Sequence, residues 1–80
     1  MTLDELKSSL ASILAAEEHA QIDWTTVDSL CDEVLRRLNC EPAPDYPLDV
    51  VYHFLDDPDV RRKDASYAQV QRERLKEWLG

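Results

Sequence analysis

The side chains in this chain that could do covalent or metal chemistry are few: Ser29, Cys31, Cys40, His19, His53 and the acidic run Asp56-Asp57-Pro58-Asp59. A thiol becomes a nucleophile when a histidine lies beside it, so Cys31 or Cys40 with His53 is a pairing to weigh for covalent catalysis. Nothing around them supplies the rest of an active site. There is no Gly-x-Ser-x-Gly elbow and no glycine-rich loop to cradle phosphate, and the single glycine, Gly80, leaves no oxyanion nest. His19 and His53 are far apart, and the acidic run lacks the glycine and distal glutamate of a calcium loop. The cysteines have no C-x-x-C spacing and, if the residues between them are helical, stand about 13 Å apart, beyond disulfide reach. They are expected to be buried or partly buried free thiols. The expectation is a protein with no catalytic residue, no metal and no cofactor.

One stretch stands apart in composition. APDYPLDVVYHFLDD, residues 43–57, gathers two prolines, two tyrosines, a histidine and a phenylalanine. A short helix here cannot bury Leu48, Val50, Val51, Tyr52, Phe54 and Leu55 all at once, so apolar and aromatic surface is left over. Rings rimmed by carboxylates are the composition of a binding hot spot that faces a basic partner. Tyr46, Asp49, Tyr52, His53, Asp56 and Asp57 are therefore the candidate partner-binding residues, the rings as anchors and the acids as steering groups. His53 adds a side chain of the type that titrates near neutrality, which would make binding depend on pH.

The elements that must position these residues are helices. Thr2-Leu3-Asp4-Glu5 is a capping box, followed by an apolar stripe at Leu3, Leu6, Leu10, Ile13 and Leu14 that stops at Glu17. Asp23 caps a second helix, with Ile22 and Val27 as its hydrophobic staple and Trp24, Val27, Cys31, Val34, Leu35 and Leu38 as its buried face. Asp32 with Arg36 and Glu33 with Arg37 form i,i+4 pairs on the exposed face, worth about 0.2–0.5 kcal/mol each. A connection of a few residues makes these two helices an antiparallel hairpin. Pro42 and Pro44 break the helical pattern, and Pro47 opens a third helix. Asp57-Pro58 stops that helix and caps a short turn, and Ser66 with Gln69 forms the capping box of the last helix. Tyr67, Val70, Leu75, Trp78 and Leu79 are its apolar residues; Gln71 and Arg74 fall within the apolar arc, Arg74 laying its stem over the core to meet a carboxylate. The fold class is all-α: a single domain over 1–80, a compact bundle of four short helices spanning about 3–18, 24–39, 47–56 and 66–79, with a short helical turn at 58–63.

Charge narrows the partners. The chain carries 17 acids against 9 bases, net −8, and the bases concentrate at the carboxyl end, where Arg61, Arg62, Lys63, Arg72, Arg74 and Lys76 lie. Six bases on one face invite a helix-turn-helix reading, but the overall acidity repels phosphate, so neither nucleic acid nor a membrane surface is expected as partner. Hydrophobic residues at 44% support a core. There is no basic n-region at the amino terminus and no apolar run of about 20 residues, so a cytoplasmic location is expected.

Two families share features with this chain. Asp28-Ser29-Leu30, the small size, the acidity and the helix count resemble acyl carrier proteins, which carry phosphopantetheine on the serine of such a triplet. That likeness implies Ser29 as attachment point. In that family, however, the triplet opens the second helix and usually follows a glycine; here Val27 precedes it and the helix begins at about Trp24. Tyr46-Pro47 and Tyr52 among aspartates resemble the toxin-binding surface of bacteriocin immunity proteins, small acidic helical bundles, and imply an inhibitor-type role. The sequence thus reads as a non-enzymatic interaction module for a basic protein, with an acyl-carrier-like protein and a structural homodimer as alternatives.

Overall fold

The computed structural model describes residues 1–41 and 45–80. Five helices follow one another: α1 (Leu3–Glu17), α2 (Trp24–Cys40), α3 (Leu48–Asp56), α4 (Pro58–Lys63) and α5 (Ala65–Leu79). The predicted all-α bundle is present, and the turn at 58–63 is a six-residue α-helix. The break at Pro42 and Pro44 lies outside the described residues. The radius of gyration, 11.7 Å, is close to the roughly 12 Å expected for a compact body of this length.

Local signals explain most boundaries. Thr2 and Glu5 close the capping box, each side chain accepting from the other's backbone N–H. Asp23 Oδ1 accepts from the amides of Thr25 and Thr26, and its other oxygen accepts from the Thr26 hydroxyl. These bonds hold the Asp23 carboxyl below its ordinary pKa, the Thr26 hydroxyl contributing most. Glu5 is lowered likewise, chiefly by the Thr2 backbone. A carboxyl whose folded pKa is depressed adds stability above its unfolded pKa, near 4, and loses it as pH falls through the folded value. Urea midpoints are therefore expected to drop between pH 5 and pH 3, and to drop less in Asp23→Asn, which has no proton to gain.

The last helix departs from expectation. It starts at Ala65, because Asp64 Oδ1 accepts from the Tyr67 amide and takes the capping role assigned to Ser66. Ser66 then lies inside the first turn. Asp57 precedes α4 but makes no side-chain cap bond there. Asp45, entering α3, has φ 52°, a left-handed conformation that aspartate tolerates better than most side chains.

The core comprises Leu6, Leu10, Ile13 and Leu14 of α1, Val27, Cys31, Val34 and Leu38 of α2, Val51, Phe54 and Leu55 of α3, and Leu75 of α5. Ile22 packs against it beside the Asp23 cap. Trp24, Leu35 and Tyr67, read as core, are only half-buried, and Val70 is 43% exposed while Ala68 takes the inward position. Arg37 does not pair with Glu33. It reaches across the hairpin to Glu5 at 2.8 Å, bracing α2 against α1. Arg36 pairs with Asp32 at 3.4 Å as expected. Cys31 is buried and Cys40, the last residue of α2, is exposed; both are free thiols.

Candidate interaction surface

Among the described residues, three polar groups lie inside the bundle: Glu17, Arg61 and Gln71. Arg61, expected on a basic face, is 2% exposed and at the centre of the molecule. Its Nε and Nη2 donate to the two oxygens of Glu17 at 2.9 and 3.0 Å, a bidentate pair. Its Nη1 donates to the Phe54 carbonyl and to Gln71 Oε1, and Nη2 also approaches Cys31 Sγ at 3.8 Å. The guanidinium carbon lies 3.9 Å from the Phe54 ring centroid. Arg72 adds a second cation to Glu17 at 3.2 Å. One side chain of α4 thus bonds to α1, α2, α3 and α5. Among the described residues no buried side-chain nitrogen or oxygen lacks a partner, the condition under which a buried ion pair is tolerated.

This network occupies the space beneath the candidate site and takes one of its members. Asp57 Oδ2 accepts from the Tyr67 hydroxyl at 2.8 Å and from Gln71 Nε2 at 3.1 Å. Gln71 Nε2 also approaches the His53 carbonyl at 3.3 Å. Donation to the carboxylate pushes the Tyr67 hydroxyl above its ordinary pKa. Asp57 is therefore bound within the fold, tying α3 to α5. Arg74, expected to fold over the core, is exposed and makes no ion pair among the described residues; Gln71 takes the inward place.

The other five candidates fall into three places around α3. Tyr46 and Tyr52 stack at 6.4 Å between centroids and 24° between planes, and the Tyr52 hydroxyl donates to Asn39 Oδ1 at 3.3 Å. Both rings are half-buried, and burial raises the Tyr46 hydroxyl pKa. Asp49 and His53 are exposed and line a cleft of about 210 Å³ between α3 and α5, with Val50, Tyr67, Gln71 and Arg74. Asp56, in the last turn of α3, lines a separate depression beside α2 and α4. There it joins Asp28, Asp32 and Asp59 around Leu35, Leu55 and Pro58. The sequence reading missed this gathering because its acids come from two separate segments, Asp28 and Asp32 of α2 and Asp56 and Asp59 at the α3–α4 junction.

Ser29, the attachment point that the carrier likeness implies, is exposed on the second turn of α2. Cys31 has its thiol pKa pushed up to about 11, chiefly by burial, so little thiolate exists near neutrality. A thiol reagent at pH 8 is expected to label Cys40 alone in the native protein and both cysteines in urea, as read by intact mass. Rapid native labelling of Cys31 would contradict its placement.

No family model matches the chain, and neither a curated protein nor a solved structure is detectably similar to it. Among the described residues no helix is long and apolar enough to cross a membrane.

Proposed function

We propose that this protein is a non-enzymatic interaction module that binds a basic protein partner, in the manner of an inhibitor or immunity protein. The supporting observation is how its charges are spent. Arg36, Arg37, Arg61, Arg72 and Lys76 are held by carboxylates of the same chain, and Lys7 lies over the Trp78 ring at 5.2 Å. Asp28, Asp49, Asp56 and Asp59 are exposed and have no such partner among the described residues. The bases are mostly consumed by the fold, and the surface left to a partner is acidic. Such a field raises on-rates for cationic partners and suppresses binding of nucleic acid.

The binding residues under this reading are Tyr46, Asp49, Tyr52, His53 and Asp56, with Asp57 acting through the position it gives α3. The test is affinity capture from the native extract, eluted with a salt gradient and repeated with Asp49→Asn/Asp56→Asn. A basic protein retained by wild type, released by salt and lost by the still-folded variant is the expected result. Retention of the same proteins by both, insensitive to salt, would refute it. Self-association is a second reading, favoured by Leu48, 58% exposed at the start of α3. Sedimentation over a concentration series separates the two.

A further inference from the structure

Asp56 belongs to a groove larger than the depression described above. A neighbouring depression lined by Trp24, Asp28, Pro58, Asp59, Arg62 and Lys63 shares Asp28, Pro58 and Asp59 with it. Together they form one trough between α2 and the α3–α4 junction. Trp24, Asp28, Asp32 and Leu35 follow one another along the α2 wall at helical spacing, and eleven residues at 1.5 Å each make the trough about 16 Å long, three helical turns. Trp24 and Leu35, both half-buried, mark its apolar ends, and Leu55 and Pro58 its floor. Its rim is acidic along most of its length and turns basic only beside Trp24, at Arg62 and Lys63.

We infer that this trough is the docking site of the partner and that its occupant is a basic amphipathic helix of that partner. The inference rests on the reading of the protein as an interaction module and specifies the face and the ligand. Charge complementarity selects the occupant. Carboxylates at Asp28 on one wall, beside the Asp32–Arg36 pair, and at Asp56 and Asp59 on the other match lysines or arginines flanking an apolar stripe. An apolar stripe at i, i+3/i+4, i+7 and i+11 spans the roughly 16 Å between Leu35 and Trp24. Arg62 and Lys63 set the direction, because the partial negative charge at a helix carboxyl end is favoured beside them. Asp28 has no ion pair among the described residues and stands one turn from Asp32, which Arg36 holds at 3.4 Å, so a cation beside Asp28 relieves the like-charge repulsion that Arg36 leaves.

The test uses isotope-labelled full-length protein titrated with a peptide of about 18 residues that places leucine and lysine at amphipathic helical spacing. A peptide of the same composition in scrambled order, and the variant Asp28→Asn/Asp56→Asn/Asp59→Asn, serve as controls. The expected result is saturable amide shifts centred on Trp24, Leu35, Leu55 and Asp59, at least about tenfold weaker binding by the scrambled peptide, and a similar loss in the variant. Saturable shifts centred instead on Asp49, His53 and Tyr46, unchanged in the variant, would overturn the trough while leaving the interaction reading standing. Diffuse shifts, equal for both peptides and without saturation, would overturn the trough and count against a specific interaction on any face.

Discussion

Replacing Arg61 with alanine is expected to destabilise the protein by about 3–5 kcal/mol, the cost of stranding a buried charge. Glu17 would keep only Arg72, and Gln71 Oε1 and the Phe54 carbonyl would each lose a donor. A domain of this size has roughly 5–15 kcal/mol of total stability, and each kcal/mol shifts its melting temperature by about 4–8 °C. The variant would be partly unfolded at physiological temperature. The size of the effect does not mean that the pair contributes so much net stability, because desolvating both ions offsets most of their attraction. Glu17→Leu combined with Arg61→Met is therefore expected to be more stable than Arg61→Ala, with a coupling of about 0.5–3 kcal/mol between the two sites. Urea denaturation of the two single variants and the double variant measures this. Additive losses would show that Arg61 and Glu17 do not act as a pair.

Phe54→Ala is the second large effect, at about 3–5 kcal/mol. Phe54 is fully buried, and its ring also forms the surface on which the Arg61 guanidinium lies. Truncation opens a cavity and removes a desolvated cation–π contact, worth about 0.5–2 kcal/mol of the total. Phe54→Leu separates the two contributions. It keeps most of the volume and is expected to lose about 1–2 kcal/mol, mainly the contact with the ring. In an Arg61→Met background the same substitution should cost measurably less. An equal cost in both backgrounds would mean that Phe54 acts by volume alone.

The helices were legible because their signals are local. Thr2 with Glu5 and Asp23 with Thr26 declare helix starts within four residues, and the apolar spacing of α1 and α2 repeats at the helical period. The buried network was not legible, although one trace of it was. Glu17 follows Ile13 by four residues and Leu14 by three, so it continues the α1 stripe in position with a carboxylate where a methyl group was expected. The stripe was read as ending there because its chemistry changed, whereas its geometry runs on to meet Arg61. Gln71 was placed inward by the same angular argument, but Arg61 sits in a helix of six residues, too short for a period to show. The start of α5 was misjudged by one residue because Asp64 and Ser66 are both good caps and tertiary context chose between them. The candidate residues of α3 were read as one patch, and Asp49, His53 and Asp56 do share a helical face, but two turns separate its ends, so Asp49 and His53 meet α5 while Asp56 meets α2 and α4. The acidic trough depends on α2 meeting the α3–α4 junction, which no local pattern encodes.

The central claim is that the protein uses two sets of charges: a buried set that holds the bundle together and an exposed acidic set that the fold does not need. The most direct measurement is the urea midpoint, at low salt and pH 7, of Asp28→Asn/Asp56→Asn/Asp59→Asn beside wild type. Asp28 stands one turn from Asp32, a like charge that Arg36 holds, and Asp56 stands in the last turn of α3, where the helix dipole disfavours an anion, whereas Asp59 stands in the first turn of α4, where it favours one. These small effects oppose one another, so the variant is expected to lie within about 0.5 kcal/mol of wild type, with the difference shrinking as salt is added. A loss of more than about 1 kcal/mol, beyond what surface substitutions normally cause, would show that these carboxylates serve the fold and would leave no surplus of charge for a partner.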